Sequence, residues 1–444
     1  MATQTAAIIL AAGQGTRMNS NLPKVLHPVC GRKMLDRAID TALALNCAPI
    51  LVVCGLHSPR VSTLVRDRLG EDHIIYQDPP KGTGHAVLVC EKALKGFAGD
   101  ALIFTADSPL LQPEDLEPLF TARRTGADLA LVGFEAADPG QYGRVINDKG
   151  RVQKIVEAAD ASPAEAKVTM CNAGIYLSPV DDLMGWLRQT KADNAKGEFY
   201  LTDVVEMAVS AGKAVHLAEA LEDSVLGVNT RADLAKAEST LQQRLRADAM
   251  AAGVTLQDPS TVYFCDDTKL DKDVVIEPHV VFGPGVTVEQ GAHIRAFSHL
   301  EGCYVGRNAV IGPYARLRPK ADIGPDAHIG NFVEVKNASI GEGAKANHLS
   351  YIGDGTVGAK ANIGAGTIFC NYDGFEKHKT IVGKGAFVGS NSALVAPVTV
   401  GDGAFVGSGS VITTDVEADA LALARAVQTQ NSGWAKRYRA KKAK

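Results

Sequence analysis

An aliphatic residue returns every six positions through residues 274–414. Ile276, Phe282, Val288, Ile294 and Leu300 open successive units. After a five-residue step come Val305, Ile311, Leu317, Ile323, Ile329 and Val335, and two more such steps lead to Ile340, Ala346 and Ile352, then to Val357 and Ile363. Past an interruption the pattern resumes with Val382, Val388, Leu394, Val400, Val406 and Ile412. Four positions after each start the residue is usually Ala, Ser, Thr or Val. A helix buries residues at a spacing of about 3.6, so no helix explains this period. A period of six repeated this often marks a β-solenoid, each unit being one short strand and one corner. The aliphatic and the small residue point inward, and Gly lets the corner turn where other residues would strain. Three units close one triangular coil of about 18 residues. Such a column buries its apolar side chains by stacking coil on coil and leaves its flat sides for assembly.

Residues 1–229 follow another rhythm. Ala6 to Ala12 is an apolar run bounded by Gly, which fits a buried parallel strand. Ile50 to Cys54, Ile74 to Gln77 and Ala101 to Thr105 read as further strands of an α/β domain. Thr230-Arg-Ala-Asp233 reads as a helix cap with an acidic first turn. Leu234, Ala237, Leu241, Leu245 and Ala249 then form one apolar stripe, and Gly253 stops it. The expected organisation is an α/β domain over 1–229, a connecting helix over 230–253, the solenoid over 254–420 and a tail over 421–444.

Composition narrows the classes. The 444 residues are 46% hydrophobic and 22% charged, as in globular proteins. A net charge of −4 offers no general attraction for nucleic acid. No apolar run approaches the roughly 20 residues of a membrane span, and Met1-Ala-Thr-Gln-Thr lacks the basic and apolar regions of a signal peptide. Eight scattered Cys form no Cys-x-x-Cys pair, so neither a zinc site nor a disulfide framework is expected. Together these readings point to a soluble, reduced, cytoplasmic protein.

Candidate chemistry begins directly after the first strand. In Gly13-Gln14-Gly15-Thr16-Arg17 the glycines let backbone N–H groups approach an anion, and Arg17 and Lys24 supply charge. Alone, the loop reads as an ordinary strand-to-helix turn and Lys24 as a solvated surface residue. Asp107 follows the strand ending at Thr105, where ligands bind in open α/β sheets. The ordered set Leu10-Ala-Ala-Gly-Gln-Gly-Thr-Arg-Met18, Leu22-Pro-Lys-Val-Leu26, Gly82-Thr83-Gly84-His85, Ala106-Asp107-Ser108-Pro109, Tyr142-Gly143-Arg144, Glu157, Asn172 and Gly227-Val228-Asn229 resembles the sugar-1-phosphate nucleotidyltransferases, which have a Rossmann-like α/β fold. The resemblance implies a substrate site of Leu10, Ala11, Ala12, Gly13, Arg17, Lys24, Gln77, Gly82, Thr83, Thr105, Ala106, Asp107, Gly143, Glu157, Asn172 and Asn229, with Asp107 and Asn229 holding Mg2+. Such chemistry is positioning plus charge neutralisation: a sugar-phosphate oxygen attacks the α-phosphorus of a nucleoside triphosphate and pyrophosphate leaves.

The solenoid carries a second set. Polar residues interrupt it together at Arg316-Leu-Arg318, Gly330-Asn-Phe-Val-Glu334-Val-Lys336, Ala346-Asn-His348-Leu-Ser-Tyr351, Asn362 and the loop from Cys370 to Thr380. His348 alone reads as an exposed solenoid histidine. The narrow repeat resembles the left-handed parallel β-helix of hexapeptide-repeat acyltransferases. With the N-terminal motifs, nearly the whole chain resembles the bifunctional N-acetylglucosamine-1-phosphate uridyltransferase/glucosamine-1-phosphate N-acetyltransferase family. That resemblance implies His348 as general base, Arg318, Lys336, Tyr351 and Asn362 on glucosamine 1-phosphate, and Ala365, Asn371, Tyr372, Ser390, Ser408 and Arg425 on acetyl-CoA. It also implies UTP as second co-substrate, a homotrimer, and a role in cell-wall peptidoglycan and lipopolysaccharide precursor synthesis. Glu334 is expected to orient the imidazole, and the segment Gly364-Ala365-Gly366 to offer an oxyanion a backbone N–H. The chain departs from the family at Ala106, whose methyl is expected to crowd the ribose, and at Pro80-Lys81, Ser408 and Val427. The solenoid before Arg318 reads as about one coil short. Two other readings remain at this stage: a single-activity nucleotidyltransferase on a structural β-helix, and a non-catalytic binding protein.

Overall fold

The computed structural model describes residues 3–148 and 150–443. Met1, Ala2, Lys149 and Lys444 lie outside the described residues, and with them the start of the N-terminal reading and the last cation of the tail. The chain divides into two compact units, Met1–Gln242 and Gln243–Lys444.

The first unit is built on one nine-stranded sheet: β1 (Thr5–Leu10), β2 (Ile50–Gly55), β3 (Ile74–Gln77), β4 (Asp100–Thr105), β5 (Leu129–Glu135), β6 (Arg144–Asp148), β7 (Arg151–Val156), β8 (Met170–Pro179) and β9 (Val215–Glu219). Its order is β9-β5-β8-β4-β1-β2-β3, with the β6–β7 hairpin attached to β8. β8 runs antiparallel to β4 and β5, while β1 pairs in parallel with both β2 and β4. The all-apolar runs follow from burial on both faces. Ala6, Ile8, Leu51, Val53 and Ile103 pack into one core layer. Ala7, Ile9, Val52, Cys54, Leu102 and Phe104 pack into the other. The chain leaves β1 toward β2 on one side and returns to β4 on the other. The loops after β1 and β4 therefore meet at the switch point where such sheets bind ligands.

The helix Arg231–Ala251 has 21 residues, close to the length read from its stripe. Thr230 and Asp233 cap it reciprocally: Asp233 N–H donates to Thr230 Oγ1 at 3.2 Å and Thr230 N–H to Asp233 Oδ2 at 2.8 Å. Gly253 ends it with φ +93°. Ala237 and Leu241 are buried in the first half, and Leu245 and Ala249 pack against the core of the second unit.

The second unit is a parallel β-solenoid. Every rung residue anticipated from the six-residue period is buried, from Ile276 at 0% exposure to Ile412 at 4%. One face is a ten-stranded parallel sheet. The other two faces form one 14-stranded sheet, because Glu334–Ile340 and Tyr351–Val357 run unbroken around the corner between them. Those are two of the places where the period drops to five: the corner has lost a residue, and the strand bends through it. Coils stack at 18 residues in Val275↔His293 and at 17 in His293↔Val310, as the two step lengths require. The column starts earlier than the clear repeat, with Thr255–Leu256 and Lys269–Leu270 as first rungs. It ends at Leu421–Ala422, inside the segment read as tail. Fully burying one such Ile, Val or Leu contributes about 1.5–3 kcal/mol, so the column is held by the sum of its rungs.

Candidate active sites

In the first unit, the loops after β1 and β4 open a cleft of about 500 Å3 lined by Leu10, Ala11, Ala12, Gly13, Lys24, Gln77, Pro80, Gly82, Thr83, Thr105 and Asp107, among others. A second recess of about 220 Å3 shares Leu10, Thr83, Thr105 and Asp107 and adds Gly143, Glu157, Asn172 and Asn229. Fourteen of the sixteen residues expected at this site therefore line two adjoining hollows that meet at Asp107. The remaining two are Arg17, which is exposed at the rim, and Ala106. Ala106 is only 1% exposed, its methyl packs in the core, and its N–H donates to Leu10 O at 3.0 Å. The expectation that this methyl crowds a ribose is corrected: it points away from the cleft.

Asp107 and Asn229 come together although 122 positions separate them. Val228 N–H donates to Asp107 O at 2.8 Å, tying the 227–229 segment to the loop after β4. Asp233 then fixes Asn229 by accepting its N–H at 3.0 Å. Lys24 Nζ forms an ion pair with Asp107 Oδ2 and donates to Asn229 Oδ1 at 3.0 Å. Arg17 Nη2 donates to the same amide oxygen at 3.0 Å. One ammonium thus spans both oxygens. A carboxylate and an amide oxygen that converge on a single cation fit the hard, oxygen-seeking Mg2+, with substrate oxygens and water left to complete its shell.

In the second recess, Glu157 accepts a hydrogen bond from Thr202 Oγ1 at 3.2 Å. Burial pushes its carboxyl up, against the pull of Lys196. Asp203 is pushed up to about 6, first by burial and then by Glu206 and Glu157. Asn172 is held by three bonds: its Nδ2 donates to Tyr176 OH at 2.8 Å, its Oδ1 accepts Gly174 N–H at 3.0 Å, and its N–H donates to Gly143 O at 2.8 Å. Gln77 is buried and spends its amide nitrogen on Gly82 O at 2.9 Å. The same nitrogen meets His85 Nδ1 at 3.1 Å, so both its bonds are made and the carbonyl oxygen is the acceptor left on this cleft-lining side chain.

In the solenoid, the second set of residues gathers along one edge and the two faces beside it. His348 ends the strand Lys345–His348 and is exposed. Its Nδ1 meets Asn331 Oδ1, one coil below, at 2.6 Å. Glu334 does not orient the imidazole: its carboxylate pairs with Arg318 at 2.7 Å and reaches Arg316 at 4.0 Å. The reason is register. Glu334 lies beside Tyr351 on the next strand, whereas Asn331 lies beside His348. Asn331 stood in a motif singled out by its other members, and its 17-residue offset from His348, one coil, was the available signal.

Above His348 the same edge carries the residues expected to hold acetyl-CoA. Gly366 N–H donates to His348 O at 3.3 Å, Asn391 N–H to Ala365 O at 2.7 Å, Gly409 N–H to Ser390 O at 2.8 Å and Arg425 Nη1 to Ser408 O at 2.6 Å. Gly364 and Gly366 both have acceptors for their N–H groups, Gly364 in Val388 O at 2.8 Å. Ala365 N–H has none among the described residues, which makes it the free donor of that segment. Below His348 the edge is apolar. His279, Phe297, Tyr314 and Phe332 stack in sequence at 4.8, 4.9 and 5.2 Å between ring centroids, all in the left-handed region, and Leu349 follows. Phe297, Tyr314, Phe332 and Leu349 are 47–58% exposed.

Arg318 and Lys336 occupy the same position on adjacent coils, as their 18-residue spacing implies: Leu317 pairs with Val335, and Lys336 with Gly353. Lys377, from the loop that leaves the coil after Cys370, joins them. The Lys377 ammonium, then Arg318, pull the pKa of Lys336 down. Lys377 was not anticipated, because it lies in an interruption with no period to place it. Asn371 is buried and gives its amide nitrogen to Asp354, so within one chain its side chain serves the loop rather than an open site. Burial works to raise Asp354, but Asn337, Asn371, Lys377 and Lys336 outweigh it and hold its carboxyl below the usual range. Tyr372 is exposed and bonds Gly374 O at 2.6 Å. Tyr351 stands on the face of Arg318, and Asn362 on the adjoining face, so the set wraps the edge at His348. From His348 to the level of Lys336 is five residues along the coil, at most about 17 Å and shortened by long cationic side chains.

Two family profiles match the chain: a MobA-like NTP transferase domain over residues 7–188, and the six-repeat bacterial transferase hexapeptide over residues 302–337 and 379–414. A protein of Caulobacter vibrioides named Bifunctional protein GlmU is 58% identical over 436 residues, covering 98% of this chain and 94% of the relative. Proteins of the same name from Maricaulis maris and a Jannaschia species are 55% and 50% identical, over 100% and 98% of this chain and 98% and 96% of their own.

Proposed function

The chain belongs to the family of Bifunctional protein GlmU, and on that premise we propose how its two sites share one synthesis. It is a bifunctional transferase: a nucleotidyltransferase unit of Rossmann-like α/β fold joined to a left-handed parallel β-helix acetyltransferase unit. The second unit acetylates glucosamine 1-phosphate from acetyl-CoA, and the first couples N-acetylglucosamine 1-phosphate to UTP, releasing pyrophosphate.

In the uridyltransferase cleft, Lys24 and Arg17 neutralise the triphosphate, and the glycine loop offers it backbone N–H groups. Asp107 and Asn229 would hold Mg2+, which when bound would supply charge neutralisation to the phosphates. Glu157, Asn172 and Gly143 orient the sugar so that its phosphate oxygen lies in line with the α-phosphorus. The carbonyl oxygen of Gln77 accepts from the N3–H of uracil, an acceptor-to-donor match that a cytosine N3 does not offer. Pro80 lines the same wall and leaves that contact to Gln77.

In the acetyltransferase site, the cations Arg318, Lys336 and Lys377 grip the sugar phosphate. His348 takes the proton of the amine as its nitrogen attacks the thioester carbonyl, and Asn331 holds the imidazole in the tautomer that can accept it. The oxyanion is received by Ala365 N–H; as it collapses the C–S bond breaks, His348 returns the proton to the leaving sulfur, and CoA departs as the thiol along the edge formed by Ser390, Ser408 and Arg425. The observations that support this reading are the His348–Asn331 bond and, five residues along the same coil, the clustering of Arg318, Lys336 and Lys377 on an otherwise regular repeat. A scaffold needs none of them.

The active assembly is a homotrimer. His348 and the acetyl-CoA edge are open to solvent in the single chain, and the aromatic ladder beneath them exposes apolar rings that a neighbouring copy would cover. The protein works in the cytoplasm and feeds precursors of peptidoglycan and lipopolysaccharide. Seven of the eight cysteines are buried, which suits a reducing compartment. A coupled assay with glucosamine 1-phosphate, acetyl-CoA and each of the four ribonucleoside triphosphates tests the whole reading. UDP-N-acetylglucosamine with a strong preference for UTP is expected; equal use of CTP would overturn the role of Gln77.

A further inference from the structure

We propose that Lys24 is an internal counter-ion that occupies the metal-ligand pair of the nucleotide-free enzyme and is displaced when a divalent cation takes its place. The inference rests on Asp107 and Asn229 being the metal ligands. Both oxygens that a divalent ion needs are already engaged. Lys24 Nζ pairs with Asp107 Oδ2 and donates to Asn229 Oδ1 at 3.0 Å, and Arg17 adds a second donor to that amide oxygen at 3.0 Å. The pair is sheltered, with the side chains of Lys24 and Asp107 only 12% and 17% exposed, so bulk water screens it little.

The lysine is also held where it can move only at its tip. Gly15 has φ +63°, and a Cβ there would lie 2.6 Å from Lys24 Cβ, so the glycine loop packs directly on the lysine stem. The ammonium therefore pivots between two partners within its reach: the oxygens of Asp107 and Asn229 on one side, and the cleft that Lys24 lines with Gly13 and Gln77 on the other. An empty cleft leaves it on the oxygens. An anionic triphosphate draws it away and frees them. The free enzyme should accordingly hold a divalent ion weakly, and metal and nucleotide should enter as linked events.

The test is Mn2+ binding to the full-length chain without nucleotide, followed by the electron paramagnetic resonance of the free ion. Lys24→Met removes the ammonium and keeps the stem. It is expected to bind Mn2+ at least about tenfold more tightly than wild type, equivalent to about 1.4 kcal/mol. Lys24→Arg keeps a cation and should stay weak, and Lys24→Met/Asp107→Ala should lose the gain. Mn2+ should also raise the melting temperature of Lys24→Met more than that of wild type. Equal or weaker affinity in Lys24→Met overturns the counter-ion role and leaves the ligand assignment standing. A gain that survives in the double variant overturns Asp107 as a ligand, and the proposal with it.

Discussion

Asn331→Ala probes the acetyltransferase site at its least obvious member. The variant removes the oxygen that meets His348 Nδ1 at 2.6 Å and changes neither a charge nor a rung residue. In the ground state that bond joins neutral groups and nets about 0.5–1.5 kcal/mol. Once His348 has taken the amine proton, the same bond is made by a cation and is worth about 1.5–3 kcal/mol. The difference, roughly 1–2 kcal/mol, exists only on the way to the transition state. It corresponds to a loss of roughly 5- to 30-fold in kcat. The assay is CoA thiol release with glucosamine 1-phosphate varied, run beside pyrophosphate release from the other site. KM for the amino sugar and the uridyltransferase rate should hold, and Asn331→Asp, which keeps an acceptor in place, should restore most of the loss. An Asn331→Ala rate within twofold of wild type, or a fall confined to KM, would refute the positioning argument.

Other consequences follow from neighbouring features. Lys377→Ala removes one of three cations from the phosphate grip and should raise KM for glucosamine 1-phosphate about 10- to 100-fold by steady-state kinetics, with uridylyl transfer unchanged. Gly330→Ala should impair acetyl transfer and not its counterpart, because an added Cβ would collide with Asn347 O on the backbone that carries His348. Asp203 has its pKa raised to about 6, chiefly by burial. Its native value lies above the unfolded one, so the native state binds the proton more tightly. The group's contribution to stability is therefore present at low pH and lost as pH rises from about 4 to about 6. The melting-temperature advantage of Asp203→Asn over wild type should grow across that window and then level, and a constant difference would contradict the buried-carboxylate account. Ile329→Ala, inside the column at 0% exposure, should cost about 2–5 kcal/mol by denaturant titration.

The solenoid was legible because its period is imposed by geometry: a rung residue either faces inward every six positions or the coil does not close. The five-residue steps even marked corners such as that inside Glu334–Ile340, where the strand turns without a break. The pairing of Arg318 with Lys336 could be read the same way, from spacing alone. Partners that depend on which residues sit side by side were harder. Glu334, two positions before Lys336, looked a natural partner for His348, but register gives it to Arg318 and gives His348 to Asn331. Lys377 lies in a loop stapled by its own bonds, such as His378 Nε2 to Asp373 Oδ2 at 2.8 Å, and no periodicity locates it. In the first unit the motif order named Asp107 and Asn229, but only the fold brings them onto one lysine. Ala106 shows the converse: its place in a motif did not tell which way its methyl points.

The measurement closest to the central claim is a pair of half-reaction assays on His348→Ala and Asp107→Ala, followed by mixing the two proteins. His348→Ala should lose acetyl transfer and keep pyrophosphate release, Asp107→Ala should do the reverse, and the mixture should again make UDP-N-acetylglucosamine from glucosamine 1-phosphate, acetyl-CoA and UTP. If His348→Ala retains full acetyl transfer, the solenoid edge is not an active site and the account fails.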